Sequence, residues 1–397
     1  MPHQLRTAGY DTCPEHLMFV MTDFPHPVDQ ALSVEELLDH PDEIGLFTFL
    51  YDKTEKAYDR FPTRRDGTDP FLHPINVAYF LKEAKAGYLA RCEGIAHDYI
   101  EESVDVYKEE HGIKDAAVLD RYETGLREGL ESEVQQLLKP QDQRLGLQFI
   151  EALGLLTRHK RERYYRSINA IFNYTGDPET QEAAVLCKLA DRAHAACTLS
   201  TFDERERMYQ CYKNLFILNN AKSYLMNRGK ITGKDPVVPS PETSAEKIFR
   251  KCGKATYLAM MELHEEAGAT LPIDIKARIR LSFDKYDYSV HGLAGITPPN
   301  PEETQLIKCF DGIAEMYDAR LHGDKERFEQ MRREEREFLQ KFFWGRKLSP
   351  SQFEKIIDYK DAGTLMNIIG RLLYDHDYVL GEFQCSKMCK RGQKCVL

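Results

Sequence analysis

The sequence is first informative for what it lacks. Across 397 residues no run approaches the ~20 consecutive apolar residues of a membrane span, so no transmembrane segment is expected. The opening stretch, MPHQLRTAGYDTCPEHLMF, has polar residues and a Pro where a signal peptide needs its apolar run, and the expected location is the cytoplasm. Period-two alternation of β-branched residues is nearly absent, which excludes a sheet-based fold and leaves an all-α one. No internal repeat or long low-complexity segment is present. Positive charge is also short: 54 Lys and Arg against 64 Asp and Glu give a formal net charge of −10. That balance argues against general nucleic-acid or anionic-membrane binding, though not against a local basic pocket.

The ten cysteines form no tight CxxC pairs of the kind that hold zinc. Most lie in apolar contexts, such as Cys187 in AAVLCKLA, and read as buried, reduced thiols. The last residues, CSKMCKRGQKCVL, place Cys385, Cys389 and Cys395 among Lys387, Lys390, Arg391 and Lys394. Such charge favours thiolates open to metal or acyl groups, but Cys395 stands one residue too close to the end for a prenylation box. The preferred reading is a disordered basic tail.

What is present is helical patterning. Residues 1–30 have few periodic signals and read as an extended arm. Ser33 with Glu36 forms a capping box that opens a helix over SVEELLDH. A longer helix is expected from Pro41 to Phe61, with Ile44, Phe47, Leu50 and Tyr51 as its apolar stripe. The loop TRRDGTDPFLHP leads into a helix at Ile75–Lys85, with Pro74 suited to its first turn. GIAHDYIEES (94–103) carries no internal Gly or Pro and reads as one helix. Polar-faced helices follow from Tyr107 to Gln143, then the core-facing Phe149–Thr157, the basic-to-amphipathic run 158–172, and a helix over 178–199. Three prolines and two glycines in 229–244 mark a linker. Beyond it, Ala245–Leu263 and Glu303–Trp344 read as helices, the second with a mixed-charge solvated face. The expected organisation is an arm (1–30), a catalytic domain (31–228), a linker (229–244), a C-terminal helical domain (245–384) and a tail (385–397).

The chemistry concentrates between Arg64 and Leu199. On one continuous helix, His97, Asp98, Glu101 and Glu102 would share a narrow sector, where three carboxylates and an imidazole call for a cation. His73, His97, Asp98 and Asp191 make a mixed N/O donor set suited to Mn²⁺, Fe²⁺ or Zn²⁺. Such a site can activate water and offset charge on phosphorus, with Glu101 or Glu102 orienting the water or protonating a leaving group. Each piece alone has an ordinary reading: a chance dipeptide, a helix-entry histidine before Pro, a surface ion-pair aspartate. Lys188 is three residues from Asp191 and can pair with it in any helix. Tyr164 and Tyr165 suit core packing better than a nucleotide pocket, and His159 and Lys160 suit a solvated face as well as a phosphate. His194 is expected on a different face from Asp191 or partly buried and is given no role, while His264, His291, His322 and His376 are read as structural.

Taken in order, the segments RRDGTDPFLHPINVAYFL, GIAHDYIEES, LLTRHKRERYYRSI and AVLCKLADRAHAACTL resemble the HD-domain metal phosphohydrolase superfamily. Within it the chain is similar to the hydrolase domain of RelA/SpoT homologues and to the small alarmone hydrolases, over about Leu46–Leu199. The resemblance implies an all-α HD bundle. It also implies His73, His97, Asp98 and Asp191 as ligands of a divalent metal, most commonly Mn²⁺. Glu101 and Glu102 would be catalytic, while Arg64 and Arg65 would form the basic pair that meets the purine and phosphate; apart from the resemblance, Lys188 and Tyr164 are further candidate substrate contacts. The implied reaction removes the 3′-pyrophosphate from ppGpp or pppGpp. Two departures stand out: Ala195 replaces the family Asn after the last His, and Glu102 replaces Asp. Both bear on which nucleotide is used, so a phosphatase for another nucleotide or a 3′-phosphorylated cofactor stays open. So does a degenerate HD binding module acting through its C-terminal helices. Nothing after Leu199 resembles an alarmone synthetase. The region from Ala245 is open to capping the site, forming a homo-oligomer or binding a protein partner.

Overall fold

The computed structural model describes residues 24–39, 44–158, 164–229, 242–290, 310–321, 323–374 and 378–380, with the side chains of 44, 165, 284–290, 310 and 311 outside the description. Among these residues every regular element is helical and no strand occurs. No helix among them is long and apolar enough to cross a membrane. The helices are α1 (Val34–Leu37), α2 (Ile44–Tyr58), α3 (Leu72–Glu83), α4 (Tyr88–Ala96), α5 (Tyr99–His111), α6 (Ala116–Leu137), α7 (Gln143–Leu156) and α8 (Tyr164–Phe172). They continue with α9 (Pro178–Cys197), α10 (Glu204–Asn227), α11 (Ser244–Ala269), α12 (Ile273–Val290), α13 (Phe310–Leu321), α14 (Lys325–Phe342) and α15 (Pro350–Tyr374). The cysteine tail, most of the N-terminal arm, His159, Lys160, His291, His322, His376 and residues 230–241 of the expected linker lie outside the described residues.

Local sequence accounts for several boundaries. The capping box of α1 is present in both directions, Ser33 accepting from the Glu36 amide and Glu36 from the Ser33 amide. That helix ends after a turn because Leu38 turns extended and buried beside Leu37. Two expected helices are each split. The stretch 94–103 breaks at His97–Asp98, where Asp98 takes φ −98°, ψ −2° and a new helix begins with Glu102 N–H donating to the Asp98 carbonyl. The stretch 303–344 breaks at Gly323, whose φ of 77° an L side chain resists; α14 then starts from an Asp324 cap.

The chain divides into two compact units. One comprises Pro25–Thr201, Phe216–Cys252 and Val379–Leu397; the other comprises Met1–Phe24, Phe202–Leu215 and Gly253–Tyr378. The division does not follow residues 229–244, for α10 and α11 each supply residues to both units. In the first unit Leu37, Phe47, Leu50, Ile75, Ile95, Ile100 and Phe149 form one apolar core under α2–α7. In the second, Ile275, Ile279, Leu339, Phe343, Ile356 and Ile357 form another.

Within the first unit α3, α4 and α9 pack mutually. Their close approach depends on Gly94: a Cβ there would lie 2.7 Å from Leu81 Cδ1 and 3.1 Å from the Ala78 Cα. A side chain would therefore drive α4 off the α3 backbone, and His97 with it.

Candidate metal centre

The packing of α3, α4 and α9 brings together donors that are far apart in the chain. His73 comes from the first turn of α3, His97 and Asp98 from the corner between α4 and α5, and Asp191 from the middle of α9. All but Asp98 are buried, and the Asp98 side chain keeps 28% of its surface exposed. His73 Nε2 lies 3.3 Å from His97 Nε2, 3.4 Å from Asp98 Oδ2 and 3.5 Å from Asp191 Oδ1; His97 Nε2 lies 3.1 Å from Asp98 Oδ2. Ligand atoms of His73, His97 and Asp191 all fall within 4.8 Å of one another, a group that can hold a metal ion. Neighbouring ligands of an ion with ~2.1 Å bonds are separated by roughly 3.0–3.4 Å, so these spacings fit a shared cation.

The imidazoles are oriented for that role. His97 Nδ1 lies 3.0 Å from the Gly94 carbonyl, which can only accept, so Nδ1 carries the proton and Nε2 offers its lone pair to the cluster. His73 Nδ1 lies 2.7 Å from Nδ1 of His194. His194 is buried on α9, and burial, with the neighbouring His73 and Arg64, pushes its pKa down to about 2. It stays neutral, and when it accepts from His73 Nδ1 the His73 Nε2 lone pair is left facing the cluster. His194 therefore has a structural role in the site itself, contrary to the sequence reading that set it apart.

Electrostatics point the same way. Burial pushes the Asp98 carboxyl up, but His97 and His73 outweigh it and hold the group ionised well below the usual carboxylate range. Burial opposes ionisation of Asp191 too, and Lys188, 2.8 Å away, overrides it. Burial pulls His97 down while the Asp98 carboxylate, by charge and hydrogen bond, raises it above its ordinary value. Asp98 occupies the position before α5 yet makes no side-chain cap bond to it. Its carboxylate is turned to the histidines instead, which forgoes about 1 kcal/mol of capping.

The other expected residues are distributed around this centre. The break places His97 at the end of α4, while Asp98, the N-cap of α5, keeps Glu101 and Glu102 on its own helix, and Glu101 is ion-paired with Arg158 at 3.0 Å. Lys188 pairs with Asp191 as the spacing predicts, and Tyr164, half-buried at the start of α8, is close enough to Lys188 to raise its pKa. Burial opposes that rise, and Asp191 contributes most to it. Arg64 is half-buried in a turn closed by Arg64 N–H to the Thr68 carbonyl (3.0 Å); Arg65 is exposed. The Tyr165 side chain lies outside the described residues. Ala195 is half-buried beside His194.

Two neighbours escaped the sequence reading. Tyr58, at the end of α2, is buried with its ring against Phe61 (4.5 Å between centroids). Burial raises its pKa, and Asp98, Glu102 and Asp191 raise it further while Arg64 lowers it, so the phenol faces the acidic side of the centre. Glu93, one turn before His97 on α4, is wholly buried, and neither carboxyl oxygen has a hydrogen-bond partner among the described residues. Burial lifts its pKa well above the usual range, which favours the protonated form. Neither residue has a sequence signal, for each is placed by packing between helices. A scan against protein-family models, a search of curated proteins and a search of solved structures each returned no match.

Proposed function

We propose that the protein is a metal-dependent phosphohydrolase, and that its substrate is a guanosine alarmone from which it removes the 3′-pyrophosphate. The observation that carries the metal-dependent part is the convergence of His73, His97, Asp98 and Asp191 at ligand-like spacings with both Nε2 atoms turned inward. The substrate rests on the resemblance of the four sequence segments that supply these residues. A divalent ion held there, Mn²⁺ in preference to Fe²⁺ or Zn²⁺, supplies Lewis acidity towards water and phosphate.

The protein's own groups then have distinct tasks. Asp98, ionised and the most exposed of the four donors, is the ligand an approaching substrate would meet first. Lys188 balances Asp191, so the centre keeps a net affinity for cations without repelling phosphate outright. Arg64 brings a guanidinium near Tyr58 and His194, suited to a phosphate or to the face of a purine. Glu101, held by Arg158, and Glu102, on the Tyr58 side, are the carboxylates we assign to steering a proton between water and leaving group. Ala195 favours a second reading of the same chemistry, a phosphatase for another nucleotide or a 3′-phosphorylated cofactor, because its methyl group offers no hydrogen bond.

The test is Mn²⁺-dependent release from ppGpp beside a panel of nucleotides, together with metal content. Asp98→Ala should reduce turnover by at least about a hundredfold and lower metal content, with helicity by circular dichroism unchanged. Pyrophosphate release from ppGpp supports the alarmone reading, and turnover of another panel member supports the second. Full activity of Asp98→Ala would remove the site assignment.

A further inference from the structure

A second concavity lies in the first unit, between α2, α5 and α6, with a volume of about 290 Å³. Each helix gives it one stripe. From α2 and the turn after it come Lys53, Lys56 and Arg60, spaced i, i+3, i+7; from α5 come Tyr99 and Ser103, and from α6 Tyr122. No carboxylate lines it, in a chain whose formal net charge is −10. The acidic partners of its cations sit outside the lining: Glu133 pairs with Lys53 and Glu110 with Arg60, both at exposed positions. Exposed pairs contribute little, so an incoming anion can displace them.

The walls are aromatic as well as basic. Tyr122 is backed by Tyr107, with ring centroids 3.9 Å apart and planes within 11°. Lys53 Nζ lies 5.7 Å from the Tyr99 ring centroid, so its ammonium group already sits beside an aromatic face. The size is at the lower limit of small-molecule pockets, too small for a polynucleotide segment or a protein helix.

We propose that this pocket binds a mononucleotide-class anion, its flat base against the Tyr122 ring and its phosphate among Lys53, Lys56 and Arg60. The Ser103 hydroxyl is placed to take a ribose or phosphate oxygen. The proposal does not rest on the metal-centre reading. The two sites nonetheless share helices: α2 carries Tyr58 at its end, and α5 begins at Tyr99, immediately after Asp98.

Calorimetric titration of the full chain with GMP and AMP tests it, with guanosine and inorganic phosphate as half-ligand controls. A mononucleotide should bind with Kd below about 1 mM and at least about tenfold tighter than either half-ligand. Lys56→Glu, at an exposed position that leaves the fold intact, and Tyr122→Ala should each weaken binding about tenfold, the loss of one charge-assisted or stacking contact. The part of the binding that Lys56→Glu and Tyr122→Ala weaken should be unchanged in Asp98→Ala and Arg64→Ala. The proposal is overturned by absence of binding, by phosphate alone binding as well as GMP, or by binding that Asp98→Ala or Arg64→Ala abolishes and Lys56→Glu spares.

Discussion

Each unit of the molecule buries a cluster of charge, and the two are built on opposite principles. In the second unit, α14 and α15 bury Arg332, Glu335, Lys360 and Asp361 almost completely. Arg332 reaches Glu354 and Asp358 at 2.9 Å each, and Lys360 reaches Glu335 at 2.5 Å and Asp361 at 2.6 Å. Every acid there faces a fixed cation of the protein's own. At the metal centre, two imidazoles and two carboxylates face one another, and Lys188, in an ion pair with Asp191, is a fixed cation set against a larger number of donors. Buried charge by itself therefore does not mark a functional site. What marks the first cluster is a surplus of electron-pair donors at spacings a cation can bridge.

The sharpest way to break this comparison is to remove one charge from the closed network. Lys360→Met strands Glu335 and Asp361 in the core and should cost about 3–5 kcal/mol in chemical denaturation. Replacing the three together by apolar and amide residues of similar volume (Glu335→Gln, Lys360→Met, Asp361→Asn) should recover most of that loss. A triple variant as unstable as Lys360→Met would mean that the network stabilises by more than mutual neutralisation.

The complementary disturbance is geometric. Gly94→Ala must push against the Ala78 backbone at 3.1 Å, and α3 and α4 must part by a few tenths of an ångström. The expected cost is about 1–3 kcal/mol of stability. Because His73 and His97 ride on the two separated helices, metal affinity should fall about 10- to 100-fold, by direct titration with Mn²⁺. Unchanged affinity would show that the donors adjust independently of the helices that carry them.

The two clusters also differ in how acid should affect them. Burial, reinforced by Glu335 and opposed by Lys360, pushes Asp361 up to about 6 from its ordinary 3.8. Its folded form then binds a proton more tightly than the unfolded chain, so its contribution makes stability fall as pH rises from 3.8 to about 6. Urea midpoints over that interval should decline less steeply, or rise more steeply, in Asp361→Asn than in the parent. Identical profiles would mean that Lys360 holds Asp361 ionised throughout.

Parts of this arrangement were legible in the sequence for identifiable reasons. Helix over strand followed from the missing alternation, and the Ser33–Glu36 box marked a real helix start because its physics is local. The pair Lys188–Asp191 followed from helical spacing. The corner at His97–Asp98 was not legible, since nothing in GIAHDYIEES breaks a helix; Asp98 leaves helical geometry as its carboxylate turns towards His73 and His97. His194, Tyr58 and Glu93 were hidden for the same reason: their positions in the site are set by packing between helices distant in the chain. The α14 half of the network, Arg332 and Glu335, looked in sequence like an ordinary solvated face, because mixed charge reads identically whether its partner is water or another helix.

The smallest expected effect concerns the helix that carries Lys188, Asp191 and His194. Asp177 caps α9: its Oδ2 accepts from the Thr180 amide and hydroxyl at 3.0 Å each and from Gln148 Nε2 at 2.8 Å. The Thr180 amide first, then Gln148, lower its pKa to about 2. The sign is opposite to that of Asp361. The unfolded chain binds the proton more tightly, so the stabilisation is complete above 3.8 and is lost as pH falls through about 2. Asp177→Ala should cost about 1 kcal/mol at neutral pH, the usual worth of a helix N-cap, and the difference from the parent should close as acid titrates the carboxyl. Asp177→Asn should retain most of the capping bond while losing its pH dependence. A cost for Asp177→Ala that stayed constant down to pH 2 would assign the effect to packing around Thr180 rather than to the ionised cap, and would separate the stability of α9 from the charge at its start.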